Sequence, residues 1–567
     1  MSGTAFFTRS KDVVGRFLQT AVVVDDRASF GPPTPAKPLQ AKPTRGSTTK
    51  APAEKEEAEP DEPALGDQAH DLDVGALIET FAGIGIVCAA LKPSKGSEKL
   101  TETDRATQEA DIVVLDWWTD GEDQKGDIAK KLLRKILETD TPSTGRTGDY
   151  SRRFRLVAIY TGENDLEKIA EEIQELLSDL SWTDEVSLEE RTIRAWPVTV
   201  KVYGKPGALE APGRIPAEEL PDQLVDDFTE MTSGLLSNVA LESLSTIRTN
   251  THRILNRFHS GLDASYVSHR ALSTPPQEAE EHTLPLVASE IESVLADDER
   301  IRRLVNLDAL SEWLQDQQIS GFGLDDATMG RALLELLEVG VEPLGHRLKY
   351  SDNRYQNERN GQFGTKTSAW SAWDKAVKSG WKKHGALTEF LAGTQDKDPA
   401  PARTIGSDEE FAMLTSLRAQ YDAPPPTLRL GTIVRDEENR HWLCVQPLCD
   451  GVRIEGERAF PFLKLEQSDK KFDLVVPADS GEALGLKISY KLFEARLVHF
   501  QAGDKPCIEA ARGEDETWNF VPSRTEGAFQ FIADLKPAHA NRIANDFGRE
   551  ISRVGLMESE WLRRHSK

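Results

Sequence analysis

At 567 residues and 62.9 kDa, the chain is too long for one ordinary domain and has room for about three or four. A hydrophobic fraction of 38% beside 29% charged residues permits sizeable cores and excludes a fibrous or wholly disordered polypeptide. With 69 basic against 95 acidic residues the net charge is -26, which excludes a surface built throughout to wrap nucleic acid but leaves room for a local basic patch.

The opening MSGTAFFTRSKDVVGRFLQT breaks its apolar positions with charge, so it is not expected to be a secretory signal. Residues 10–19 suit a short helix and TAVVVDD (20–26) an apolar strand ending in two acids. Residues 31–65 hold eight of the 30 prolines and almost no large apolar residue, and are expected to be a disordered insertion inside a domain. A helix over 71–82 and a strand over GIVCAAL (85–91) follow. DIVVLD (111–116) reads as a strand ending in an acid, 126–138 as a helix, and FRLVAIYTG (154–162) as a strand ending in Thr-Gly. Residues 164–180 have helical spacing, and WPVTVKVYGKPG (196–207) is a strand ending in Gly-Lys-Pro-Gly. Near-continuous apolar strands alternating with amphipathic helices predict a doubly wound α/β domain over 1–207, with five parallel strands covered on both faces.

A mainly helical region is expected over 208–400, with segments at 217–260, 285–317, 325–338, 367–379 and 384–393, and breaks at Gly261 and at 274–276. Residues 394–406 read as a linker. After a helix at 407–420, the remainder reads as a β-rich module with C-terminal helices. A hairpin is expected around DEEN (436–439), and strand-like runs at 452–464, 472–476, 485–499 and 528–533. No apolar run approaches the roughly 18 residues of a membrane span. Four cysteines, Cys88, Cys444, Cys449 and Cys507, are too few for a disulfide scaffold and point to a reducing cytoplasm.

Ligands of open parallel sheets bind outside the carboxyl ends of the strands. Those ends carry Asp25 and Asp26, Asp116, Thr161 and Lys205, so three carboxylates, a hydroxyl and an amine are expected on one rim. Clustered carboxylates need a cation, and all-oxygen ligands favour Mg²⁺. One aspartate could then attack phosphorus as a nucleophile, with Thr161 and Lys205 holding the other phosphoryl oxygens.

VVVDD, VVLD, AIYTG and GKPG, in this order and at these strand ends, resemble the receiver domain of bacterial two-component response regulators. The resemblance implies that Asp25, Asp26 and Asp116 bind Mg²⁺ together with the backbone carbonyl of Trp118. It further implies that Asp116 accepts the phosphoryl group, Thr161 follows it and Lys205 pairs with it. A histidine kinase or related ATPase would be the donor and an output protein the recipient of the signal. The sequence departs from the pattern at several points. Two indoles, Trp117 and Trp118, crowd the acceptor; the position three before Lys205 is Val202, with aromatic Tyr203 on the opposite face; and the insertion enters beside the acidic pair. A receiver fold that serves only as a dock therefore stands as the alternative reading. Receiver-like domains with large outputs also occur in stress and phage-defence operons, an analogy at fold level.

Residues 346–384 interleave Arg347, Lys349, Arg354, Arg359, Lys366, Lys375, Lys378, Lys382 and Lys383 with aromatics, which fits either nucleic-acid binding or a solvated face over a tryptophan core. His252, His259, His269 and His282 on the helical region are candidate phosphotransfer sites or plain surface histidines. Cys444, Cys449 and His441 do not complete a zinc set, and strand cysteines in a core are expected. The C-terminal half has no P-loop, zincin or nucleophile-elbow motif and shows no recognisable catalytic centre.

Overall fold

The central apolar strands of the N-terminal region pair side by side because each buries both faces. In the computed structural model, β1 (Thr20–Val24) sends Val22 and Val24 to one core and Ala21 and Val23 to the other. The structure describes residues 3–30, 72–93, 97–118, 125–140, 154–179, 186–206 except 196, 212–317 except 275 and 277, 319, 325–350, 368–379, 386–392, 407–419, and 425–552 apart from 452–453, 480, 504, 514–516 and 525–526. The expected disordered insertion at 31–65 and linker at 394–406 lie outside them. The chain divides into two compact units, one over Met1–Ser143 and Asp149–Gln395, the other chiefly over Asp396–Lys567.

In the first unit, α1 (Ala5–Phe17) precedes β1, and a two-residue strand β2 (Ala28–Ser29) pairs in parallel with β3 (Leu72–Asp73). The two ends of the insertion are thereby brought together beside Asp25 and Asp26. Then come α2 (Val74–Gly83), β4 (Val87–Leu91), α3 (Ser97–Glu109), β5 (Ile112–Leu115), α4 (Asp127–Asp140), β6 (Arg155–Thr161) and α5 (Leu166–Ser178). An antiparallel pair, β7 (Ser187–Glu189) and β8 (Thr192–Ala195), leads into β9 (Val198–Gly204). The strand order is β4-β1-β5-β6-β9-β8-β7. The five expected parallel strands are present; the β7–β8 hairpin, too short and polar to read as strand, widens the sheet to seven. Helices α4 and α5 cover one face. The other is covered by α1, α2 and α6 (Leu220–Thr232), which buries Leu220, Leu224 and Phe228 against the sheet.

Helix α7 (Leu235–Arg257) buries Asn238, Glu242, Ser245 and Thr246 in its first two-thirds, next to α1. Arg16 of α1 reaches the buried Glu242 at 2.9 Å, and Arg9 grips Glu312 of α11 (Leu307–Gln317) at 2.6 Å. Between them lie α8 (Asp263–Leu272), α9 (Glu278–Asp297) and α10 (Glu299–Arg303), so the expected 285–317 segment is divided among α9, α10 and α11. Helices α12 (Asp326–Val339) and α13 (Val341–Tyr350) with Ser368–Lys378 form a separate core around Trp373 and Leu344.

The second unit is a nine-stranded antiparallel sheet: β10 (Thr432–Arg435), β11 (His441–Cys444), β12 (Glu457–Gln467), β13 (Leu474–Pro477), β14 (Ala483–Ile488), β15 (Arg496–Gln501), β16 (Ala511–Arg512), β17 (Trp518–Phe520) and β18 (Phe529–Asp534). The hairpin at 436–439 is β10–β11. The single run expected over 485–499 is broken by the 3-10 turn Leu492–Glu494, so β14 and β15 both pair with β12. One face packs under the Pro537–Ile551 helix through Ile543 and Phe547; the other holds Phe460, Phe462, Phe500 and Phe529.

Candidate functional site

The parallel order reverses about β1: the chain passes from β1 to β4 on one side, then to β5 on the other. At such a switch point the connections leave in opposite directions and open a crevice at the strand ends. Asp25 and Asp26 follow β1, and Asp116 follows β5, fixed there by its N–H on the Val24 carbonyl (2.8 Å). Oxygens of the three carboxylates lie within 4.8 Å of one another, the metal-type cluster found among the described residues.

Lys205 follows β9 and is 2% exposed. Its Nζ donates to Asp25 Oδ2 at 2.6 Å and to Asp116 Oδ2 at 2.8 Å. The other Asp25 oxygen accepts the Arg27 N–H at 2.8 Å, and Asp116 Oδ1 accepts the Trp118 N–H at 3.4 Å. Thr161 ends β6, fully buried, and its hydroxyl accepts the Glu163 N–H at 3.3 Å. Asp25, Asp26, Asp116 and Lys205 therefore come together, and Thr161 stands at the end of the neighbouring strand β6.

The electrostatics follow from burial. Two of the three carboxylates, Asp25 and Asp116, share the buried Lys205 ammonium, and the three acids together outnumber it. Burial, reinforced by Asp25 and opposed by Lys205, pushes the Asp116 carboxyl up to about 7. For Lys205, burial alone would favour the neutral amine, but Asp116 and Asp25 outweigh it and hold the ammonium above its ordinary value. The Asp116 shift is thus set first by burial, and the Lys205 shift by the two carboxylates it touches. An all-oxygen, three-carboxylate set with that excess fits a hard divalent cation such as Mg²⁺.

Several contributors escaped the sequence reading. Arg214, beyond the Gly-Lys-Pro-Gly, donates to the Lys205 carbonyl at 2.6 Å and to the Glu163 carbonyl and Asn164 Oδ1, both at 2.9 Å. It ties the Thr161 and Lys205 strand ends together, and no spacing signal marks it. Gly204 allows this approach, since a Cβ there would meet Arg214 Cγ at 2.7 Å. The two indoles part ways. Trp117 is buried against Gly126, whose φ of 88° and bare Cα let the ring approach where a Cβ would clash. Trp118 stays at the rim with the Arg27 guanidinium 5.5 Å and the Lys125 ammonium 4.8 Å from its ring centre.

Val202 is buried in the α4/α5 core, while Tyr203 faces α6. Tyr203 donates to buried Asp227 at 2.5 Å, and Lys201 reaches the same carboxylate at 2.7 Å. Burial and that carboxylate hold the Tyr203 phenol well above its ordinary value.

The family model of the response receiver domain matches residues 17–207. Residues 17–207 are a receiver-like domain. No curated protein and no solved structure matches the chain. Receiver domains generally bind Mg²⁺ at an acidic site, take phosphate from kinases and act on output partners, so the chain carries response-regulator-like signalling equipment. No helix among the described residues is long and apolar enough to cross a membrane.

The other candidates are less concentrated. Within 346–384, Arg354, Arg359, Lys366, Lys382 and Lys383 lie outside the described residues. Trp373 is core, and Lys375 and Lys378 lie on the exposed face above it. His252, His259, His269 and His282 are exposed, with the His269 and His282 rings 5.5 Å apart. Cys444 is fully buried, and burial pushes its thiol up to about 12.

Proposed function

We propose that the N-terminal domain is a working phosphoacceptor and that the rest of the chain reads its state. The supporting observation is Lys205, buried and shared between Asp25 and Asp116 at the strand ends. Asp116 would be the nucleophile. One of its oxygens bonds to phosphorus as the P–N bond of a kinase phosphohistidine breaks. The electron pair leaves on the imidazole, which takes up a proton. Mg²⁺ held by Asp25, Asp26, Asp116 and the Trp118 carbonyl would supply charge neutralisation on the phosphoryl oxygens. Lys205 then exchanges a carboxylate oxygen for a phosphoryl oxygen, and the Thr161 hydroxyl turns to donate to another.

Movement of Lys205 pulls on the end of β9. Tyr203 and Lys201 on that strand hold Asp227 of α6, and α6 leads directly into α7. This is the route proposed from acceptor to output, in place of the aromatic position that Val202 occupies. The output is read as a protein partner, and the domain as a cytoplasmic signalling module. A titration of the full chain with Mg²⁺ and beryllium fluoride, a phosphoryl mimic, tests the reading. A rise in Tm that needs both components and is lost in Asp26→Asn is expected; no rise for wild type would leave the dock reading in its place.

A further inference from the structure

Beyond β9 the chain lays Gly213–Ile215 along the end of that strand. The Gly204 N–H donates to the Gly213 carbonyl at 2.9 Å, and the Ile215 N–H donates to the Gly204 carbonyl at 3.0 Å. The Tyr160 hydroxyl of β6 donates to the Ile215 carbonyl at 2.9 Å. The backbone around Arg214 is thus fixed from both β6 and β9, whatever its side chain does. The half-buried guanidinium then bonds three neutral acceptors on two segments: Nη1 reaches the Lys205 carbonyl, and Nη2 reaches the Glu163 carbonyl and Asn164 Oδ1. Charged donors make the stronger class of hydrogen bond, and here they are committed to holding backbone.

The two segments held are the ones whose side chains must act together. The Glu163 N–H donates to the Thr161 hydroxyl at 3.3 Å, and the Lys205 N–H donates to the Thr161 carbonyl at 2.7 Å. Phosphoryl transfer asks Thr161 and Lys205 to reach different oxygens of one group at the same moment, and a misplacement of about 1 Å in such a set can cost about a hundredfold in rate. A planar guanidinium offers its N–H groups at fixed angles, so it sets the separation of the two carbonyls; a single ammonium would not. Arg214 lies beyond the matched segment 17–207, and its bonds go to the strand ends and not to the three acids. We propose that Arg214 is a positioning residue for phosphoryl transfer, holding the Thr161 and Lys205 strand ends at the separation one phosphoryl group requires. The proposal rests on the phosphoacceptor reading above.

The test uses the full chain as wild type, Arg214→Ala and Arg214→Lys, the last keeping the charge and the aliphatic stem without the fork. In chelator, backbone hydrogens of residues 160–166 and 203–206 should exchange at least about tenfold faster in both variants, because the strand ends lose their tie. Calorimetric titration with Mg²⁺ alone should give dissociation constants within about twofold of wild type, since the three acids keep their places. The rate of labelling by acetyl phosphate at saturating Mg²⁺ should fall at least about tenfold in both variants. Added guanidinium ion should restore part of that rate in Arg214→Ala, which a general loss of structure would not allow. Unchanged exchange would overturn the proposal, as would Mg²⁺ affinity lost in step with the rate. Arg214→Lys labelled at the wild-type rate would overturn it too, because charge without the fork would then suffice. A wild type that takes no label overturns the phosphoacceptor reading and this proposal with it; a labelled wild type with equally fast variants overturns this proposal alone.

Discussion

Replacing Asp116 with asparagine should stabilise the metal-free protein. The carboxyl is buried beside Asp25, with Lys205 already shared between them, and its proton affinity rises from the ordinary 3.8 to about 7. In the unfolded chain the group ionises near its ordinary value, so between about pH 4 and 7 the folded state binds the extra proton and loses stability as pH rises. Above pH 7 the wild type bears the full cost of the buried charge. At about 1.4 kcal/mol for each tenfold change, that ceiling is about 4 kcal/mol. The substituted asparagine keeps an acceptor oxygen for Lys205 and removes the charge. Thermal melts of wild type and Asp116→Asn in chelator from pH 4 to 8 should show no gain for the variant at the acid end, and a Tm advantage growing to several degrees by pH 8. Saturating Mg²⁺ should stabilise wild type by mass action, about 2.7 kcal/mol at a hundredfold over its Kd, and shrink or invert the difference. A variant less stable than wild type at pH 8 in chelator, or an advantage that does not change with pH, would refute the reasoning.

Lys205→Met should destabilise the first unit by about 3–5 kcal/mol in chelator, because two buried carboxylates lose their ammonium, with Mg²⁺ recovering part of the loss in denaturant melts. Tyr203→Phe should cost about 1–2 kcal/mol by removing one donor to buried Asp227, while leaving Mg²⁺ affinity unchanged; a large change in affinity would place Tyr203 in the site itself. Trp373→Ala should cost about 3–5 kcal/mol in the helical region, as expected for a core indole, and a variant of wild-type stability would return that tryptophan to the list of binding residues.

Much of the site was legible because its physics is local. An apolar strand that stops at an acid says both where the strand ends and which side chain stands there, so Asp25, Asp26, Asp116, Thr161 and Lys205 could be placed before any geometry was known. What joins them was not legible. Arg214 acts across strand ends from a stretch without periodicity, and the Lys205 bridges depend on three-dimensional register. Helix α3, SEKLTETDRATQE, was missed because a largely polar sequence carries little apolar period. The contribution of α6 to the sheet is long-range packing: Leu220 and Phe228 look the same in sequence whether they cover a sheet or a neighbouring helix. The α7–α9 region shows the converse: helical segments were expected there, and only the structure shows that Leu255, Val267 and Leu284 are exposed.

The most direct measurement of the central claim is the intact mass of the full chain after incubation with acetyl phosphate, with and without Mg²⁺. Full length matters because α6 completes one face of the sheet. The account predicts one added phosphoryl group that requires Mg²⁺, is removed by hydroxylamine and is absent in Asp116→Asn. An unmodified wild-type mass under conditions where Mg²⁺ binding is independently seen, or an adduct that persists in Asp116→Asn, would contradict it.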